Sequence, residues 1–332
     1  MIDFRYHLVS LVSVFMALAI GVVLGAGPLE EAIGDTLSNQ VGELREDTED
    51  LTLAVENREV QIADRDAFID SVTAPLLAEQ LGGTSVVVVA LPGAETDVVD
   101  ALSEELAAAG ATLTGRVTVA PKWTDPEQQA FRSSLSGQLV QYVEPRPAAE
   151  LGPAGELAAV LAKAVVTSDI GAVGQADPDA ATILEGLRAG ELISVDGDPA
   201  QLATLAVVVG GSPDESAGAG DPDWLEAEAQ SYTALATGLD QASSGSLVAG
   251  PVSSAADPEG LLAQVREDPD VAAAVSTVDA VDTPMGRATT VLALREQRGG
   301  ATGQYGVADN ATALLPETGA AAPPASAEGG DG

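Results

Sequence analysis

Between Ser276 and Arg287 the sequence reads STVDAVDTPMGR and gathers two carboxylates and a thioether, Asp279, Asp282 and Met285. Two carboxylates at a strand end can hold a cation through oxygen. The thioether beside them is a softer donor than either carboxylate. A second reading needs no ligand: Thr283 suits an N-cap and Pro284 the first position of a helix from Met285 to Gln297, with the acids ordering the loop. The sequence leaves both readings open. The single histidine is His7, near the N-terminus, and there is no cysteine. Ser-His-Asp and Cys-His constellations, thiolate catalysis and disulfides are thereby excluded from the rest of the chain. No acid pair stands out as a hydrolytic couple, and the expectation is a protein that is not an enzyme. The turn Leu91-Pro92-Gly93-Ala94 lacks the glycine pattern and the lysine of a phosphate cradle. Gly210-Gly211-Ser212 reads as a strand-end turn. Leu315-Pro316-Glu317-Thr318-Gly319 spells a sortase-type signal, but no hydrophobic segment and basic tail follow it, so the match is by chance.

The elements that would position Asp279 and Asp282 alternate between strand and helix from Ser85 onward. Ser85 to Leu91 is an almost wholly apolar run, which suits a strand buried on both faces. Glu95 to Ala109 is helical, with Gly110 placed to end it. Thr112 to Val119 alternates as a strand, and Pro126 to Leu139, Gly155 to Val166 and Pro178 to Ala189 suit helices. Leu205 to Val209 and Ser246 to Ala249 are further strands, each stopped by glycine. Asp223 to Gln241 and Pro258 to Val265 are helical. This alternation predicts a mostly parallel α/β sheet, with Asp279 and Asp282 in the crevice at its carboxyl end.

Ahead of this domain lie two segments of different character. Leu8 to Gly27 carries no charged residue, and at about 1.5 Å per residue it is long enough for a bilayer core of about 30 Å. It reads as a single uncleaved transmembrane helix; a cleaved signal peptide is the alternative, although Leu24-Gly25-Ala26 matches a cleavage site poorly. Arg5 precedes the span and no base follows it until Arg45. The positive-inside rule then places the N-terminus in the cytoplasm and the remainder outside. From Leu37 a series recurs at alternating spacings of four and three, continued by Val41, Leu44, Thr48, Leu51, Val55, Arg58, Ile62, Arg65, Ile69 and Val72, and eight of its eleven members are apolar. This heptad pattern predicts a coiled-coil stalk and, behind a common anchor, a parallel homodimer or a higher homo-oligomer. Arg58 and Arg65 sit on the seam, where Glu59 and Asp66 of a partner strand could meet them. An amphipathic helix packing on its own domain is the other reading. Pro75 and Gly82-Gly83 are expected to end the stalk.

Acids outnumber bases 51 to 14, for a formal charge of -37 over 332 residues. Such a surface repels phosphate backbones and anionic headgroups, which excludes a nucleic-acid partner. Hydrophobic residues make up 46% but aromatics only 3%, so aliphatic side chains must build the core. The expected organisation is a cytoplasmic stub at 1–7, a transmembrane helix at 8–27 in contact with lipid, a stalk at 28–81, an extracytoplasmic α/β domain at 82–298 and an acidic low-complexity tail at 299–332. That tail is expected to be disordered from Gly319.

The N-terminal run from Phe4 to Gly25, FRYHLVSLVSVFMALAIGVVLG, closely resembles the MctB family of actinobacterial copper transport proteins. Ser276-Thr277-Val278-Asp279, Val281-Asp282-Thr283-Pro284 and Gly303-Gln304-Tyr305-Gly306 also resemble that family, and the resemblance covers nearly the whole chain. It implies a membrane-anchored protein of copper transport or homeostasis in the cell envelope, with a copper ion as the transported species. It also implies a role in copper tolerance and a pore in the outer membrane. The residues constrain these expectations. Cu(I) favours thiolate and thioether, and Cu(II) imidazole; the chain offers no cysteine, one histidine and the methionines Met1, Met16 and Met285. It also lacks the many alternating ten-residue strands of a barrel. Copper would therefore pass by an oligomeric pore, by carboxylate attraction or through a partner protein. A non-enzymatic envelope scaffold that binds a protein partner through its outer domain is the competing expectation.

Overall fold

A computed structural model describes residues 4–26, 28–148, 151–216 and 218–317. The expected disorder from Gly319 therefore falls outside the described residues. The chain divides into two compact units, 1–65 and 66–332.

The first unit holds helix α1, Phe4–Ala26, and most of helix α2, Pro28–Leu77. The segment Phe4–Val23 of α1 has a mean hydropathy of 2.2 and none of it is buried. It is long and apolar enough to cross a membrane by length and composition. In α2 the seam residues Val41, Leu44, Leu51, Val55 and Ile62 are all exposed. They form an apolar stripe with acids on the flanking faces. Pro75 was expected to end this helix, but the helix continues through it to Leu77. Proline in the last turn forfeits one backbone hydrogen bond, and only two further residues remain helical, so the disruption is small.

The second unit is an α/β sandwich around one open sheet. Its strands are β1 Ser85–Ala90, β2 Thr112–Val119, β3 Ile193–Gly197, β4 Leu205–Val209, β5 Ser246–Ala249, β6 Ser276–Val278 and β7 Gln304–Tyr305, in the order β3-β2-β1-β4-β5-β6-β7. All neighbours pair in parallel except β2 and β3, which are antiparallel. The helices are α3 Thr96–Ala108, α4 Gln129–Leu139, α5 Gly152–Val165, α6 Pro178–Ala189, α7 Pro222–Ala242, α8 Val252–Ala256, α9 Leu261–Glu267, α10 Pro269–Ala272 and α11 Pro284–Arg298.

Alternation along the central strands divides the core in two. Val87 and Val89 of β1 and Ala206 and Val208 of β4 face helices α4 to α7 and α9. Val86, Val88, Leu205, Val207 and Val209 face α3, α11 and Leu77 at the end of α2. This is the two-sided burial that turns a central parallel strand into a continuous apolar run. Four helices of this unit start with a capping acid or threonine followed by proline. Asp177, Asp221, Asp268 and Thr283 accept backbone N–H groups at the starts of α6, α7, α10 and α11. Each cap satisfies donors the first turn leaves open.

The unit exceeds the expected span of 82–298 at both ends. It takes in the end of α2, whose Leu77 is buried, and it continues beyond Arg298 into β7, whose Gln304 and Tyr305 are buried. The segment expected to begin a low-complexity tail at 299 is instead the sheet's last strand and the turn after it. A two-residue strand carries no periodicity, which is why the composition of the segment misleads.

Candidate functional site

The motif residues of β6 and β7 converge on one buried arginine. Arg266, in the last turn of α9, has a side chain only 3% exposed, and that of Asp279, just beyond β6, is fully buried. Both terminal nitrogens of Arg266 donate to Asp279 Oδ2 at 3.1 Å. The guanidinium also donates to Thr277 Oγ1 at 2.8 Å, Asn310 Oδ1 at 2.7 Å and the Tyr305 carbonyl at 2.7 Å. Asp279 accepts in addition from the backbone N–H of Val307 at 2.7 Å and of Ala308 at 3.3 Å. Burial lowers the Arg266 pKa, and the adjacent Asp279 carboxylate works against that shift. The guanidinium stays protonated all the same, as arginine does in proteins.

Gly306 makes room for this arrangement. Its φ is 134°, and a Cβ there would lie 2.1 Å from Asp279 Cγ. Below the ion pair, Thr277 Oγ1 donates to Gln304 Oε1 at 2.6 Å. Gln304 Nε2 in turn donates to the carbonyls of Ala272 and Val275. The two short stretches, Ser276 to Asp279 and Gly303 to Gly306, are thus halves of one polar clasp that joins β6, β7 and α9. Both Asp279 oxygens accept donors, and the carboxylate is fully buried against the Arg266 charge, which disfavours a cation there.

Asp282 has different surroundings. It is exposed, on the loop between β6 and α11, and lines a cleft of about 210 Å³ with Glu95, Glu215, Ser212 and Ser253. The cleft lies outside the carboxyl ends of β1, β4 and β5, where the strand order reverses. Three carboxylates and no base line it. Its field repels phosphate and favours cations. Its floor is tight: a Cβ on Gly211 would lie 2.2 Å from the backbone of Gly93, so the two strand-end turns are in contact. Met285 is half-buried in the first turn of α11, whose cap Thr283 accepts the Gly286 N–H at 3.2 Å. The structure therefore places the three sequence-selected residues in three settings: a buried ion pair, an exposed cleft wall and a helix start. Among the described residues no group of three or more His, Cys, Asp or Glu side chains is arranged to hold a metal ion. The clasp residue that sequence reasoning missed is Arg266, which sits in an ordinary run, VREDPD, with nothing local to mark it as buried.

Further polar groups lie away from the clasp and the cleft. A groove of about 1040 Å³ beside α5 and α7 is lined by Lys163, Thr233, Thr237, Gln241 and Gln264 among others, with no His, Cys or Met. Buried Glu228 accepts the Tyr232 hydroxyl at 3.0 Å and the hydroxyl of Ser216. Burial first, and the Glu228 carboxylate second, push the Tyr232 pKa far up, so that phenol stays protonated. On the other face, Arg287 pairs with Glu105 at 3.2 Å and lies 3.8 Å from Asp70 of α2. Burial raises the Glu105 pKa, and the Arg287 charge only partly offsets it.

Residues 1–316 match the model of a family described as copper transport outer membrane protein, MctB. A protein of Mycobacterium leprae named copper transporter MctB is 31% identical over 95% of this chain and 99% of its own length. A protein of the same name from Mycobacterium tuberculosis is 30% identical over 95% of this chain and 99% of its own length. The match takes in the apolar helix, α2, the whole sheet and both halves of the clasp.

Proposed function

The chain belongs to the MctB family, and from that membership we propose that it is a membrane-anchored protein of copper transport, with copper as its cargo. The observation that carries this reading is a family match running through nearly every element of both units. We further propose that α1 is the anchor, that α2 is a coiled-coil stalk joining copies of the chain, and that the α/β unit stands outside the cytoplasm. The charge on either side of α1 supports that orientation: Arg5 lies before the span and no base follows until Arg45. A single helix of this kind suits a plasma membrane, whereas the family description names the outer membrane. The sheet is open, with β3 and β7 as its outermost strands and helices on both faces, which is the opposite of a closed lipid-facing barrel.

The donor chemistry shapes the mechanism. With no cysteine, and with its single histidine beside the anchor, one chain offers oxygen donors in number and soft donors hardly at all. Carboxylates attract Cu(II) weakly and exchange it quickly, which suits passage rather than storage. The cleft walled by Glu95, Glu215 and Asp282 is one concave surface of the α/β unit that offers such attraction. The relatives are named as transporters, and the proposal gives this chain no catalytic step. A second reading, favoured by the same lack of soft donors, is a scaffold that acts on copper through an envelope protein bound to the α/β unit.

The test is a strain from which the gene is deleted, grown across a copper series, with cell-associated copper measured by mass spectrometry. Copper transport predicts altered copper content and tolerance, both restored by the full chain. Unchanged copper content and tolerance would overturn the proposal.

A further inference from the structure

The pattern of branching along α2 says more than that it associates. Taking Val41 as an a position, the a series is Val41, Thr48, Val55 and Ile62, and the d series is Leu44, Leu51, Arg58 and Arg65. Every a residue is β-branched, and the d residues before the arginines are leucine. That distribution favours two parallel strands over three or four, because side chains at a and d meet the partner at different angles. The apolar members of both series are exposed, from 40% for Val41 to 66% for Leu51.

Arg58 and Glu59, at the middle of the seam, have no opposite charge one turn away on their own helix. Arg58 has Ala54, Val55, Gln61 and Ile62 at the positions one turn away, and none is acidic. Glu59 has Val55, Glu56, Ile62 and Ala63, and none is basic. Neighbouring charges on one helix can pair only across three or four residues. In a parallel, in-register pair a d side chain packs beside the e side chain of its partner, which brings Arg58 of each strand to Glu59 of the other. A shift by one heptad would set Arg58 against Thr52 or Asp66 instead of Glu59.

We propose that α2 forms a two-stranded, parallel, in-register coiled coil with a second copy of this chain. Arg58 acts as its register key through Glu59 of the partner strand, and Arg65 forms a second polar layer one heptad on. Polar seam layers cost stability and select one register and one strand number. The common anchor at α1 supports the parallel sense, since both strands start from the same membrane surface. This inference concerns assembly alone and stands whether or not the cargo is copper.

The native chain has no cysteine, so single cysteines report on the seam without background. Leu44→Cys, Leu51→Cys and Ile62→Cys in the full chain, oxidised mildly in membranes, are each expected to give a disulfide dimer. Leu53→Cys, on the outer face, is expected not to. An antiparallel pair could link at most one of the three seam positions and would overturn the proposal. Light scattering of the detergent-solubilised chain is expected to give twice the chain mass; one or three chain masses would contradict it. Arg58→Glu is expected to reduce cross-linking through Leu51→Cys about tenfold, and Arg58→Glu with Glu59→Arg to restore it. Thermal unfolding of the α/β unit serves as a folding control. No loss with Arg58→Glu, or no recovery in the double variant, would refute the pairing.

Discussion

Replacing Asp279 by alanine separates a structural carboxylate from a copper ligand. The substitution leaves Arg266 charged, with a side chain only 3% exposed, and strips the N–H groups of Val307 and Ala308 of their acceptor. Removing one partner of a buried, hydrogen-bonded ion pair costs about 3–5 kcal/mol, chiefly because the remaining charge is stranded. For a domain of about 150–250 residues each kcal/mol moves the thermal midpoint by about 2–4 °C, so the expected loss is about 6–20 °C. Asp279→Asn keeps an acceptor for the Val307 N–H and should fall between wild type and alanine. Asp282→Ala, at an exposed position, should shift the midpoint by less than about 2 °C. The assay is calorimetric unfolding of the full chain in detergent, with copper content measured on the same samples. If Asp279→Ala unfolds within about 2 °C of wild type and loses bound copper, Asp279 is a ligand and the clasp reasoning fails.

Other consequences are as specific. Gly306→Ala should destabilise the α/β unit by about 2–6 kcal/mol, since the new Cβ adds overpacking against Asp279 to backbone strain at a positive φ; a midpoint close to wild type would show that the clasp yields easily. The raised pKa values of Glu105 and Asp240, both due first to burial, mean the folded state binds their protons more tightly than the unfolded chain. Stability should therefore rise as pH falls from above those raised values toward the ordinary 4.5 and 3.8. Asp177 works in the opposite sense: burial alone would raise its pKa, but Lys163 and two backbone N–H groups hold it below 3.8, so its contribution is lost as pH falls through and below that value. Unfolding midpoints across this range should pass through a maximum on the acid side of neutral, and a steady decline on acidification would contradict the raised values of Glu105 and Asp240. Met285→Leu should cost less than about 1.5 kcal/mol and leave copper tolerance of a complemented strain unchanged; lost tolerance would identify the thioether as a ligand.

Much of the fold was legible because its signals are local. Apolar runs at Ser85 to Leu91 and Leu205 to Val209 marked the central strands, and Thr283-Pro284 marked the start of α11. The antiparallel edge strand β3 was not legible. Its residues from Ile193 to Gly197 are largely exposed and include two polar positions and a closing glycine, so the run is too short and too polar to stand out as a strand. Strand β7 is too short for any period, and it exists because β6 offers it a free edge and Arg266 holds it there. At the site the sequence singled out both halves of the clasp but not the arginine between them. A buried ion pair is a fact of tertiary packing, and neither Arg266 nor Asp279 differs locally from the many solvated charges around it. The same gap explains why Asp279 and Asp282, three residues apart, seemed partners in the sequence and have separate environments in the fold.

Copper titration of the full chain in detergent, by calorimetry with Cu(I) and Cu(II) each held against a competing chelator, bears most directly on how this protein handles its cargo. Transport through transient oxygen contacts predicts no saturable site at about micromolar affinity or tighter, and only weak, salt-sensitive heats. One copper bound per chain at such affinity, insensitive to salt, would contradict that account and would call for a ligand set that the separate settings of Asp279, Asp282 and Met285 do not provide.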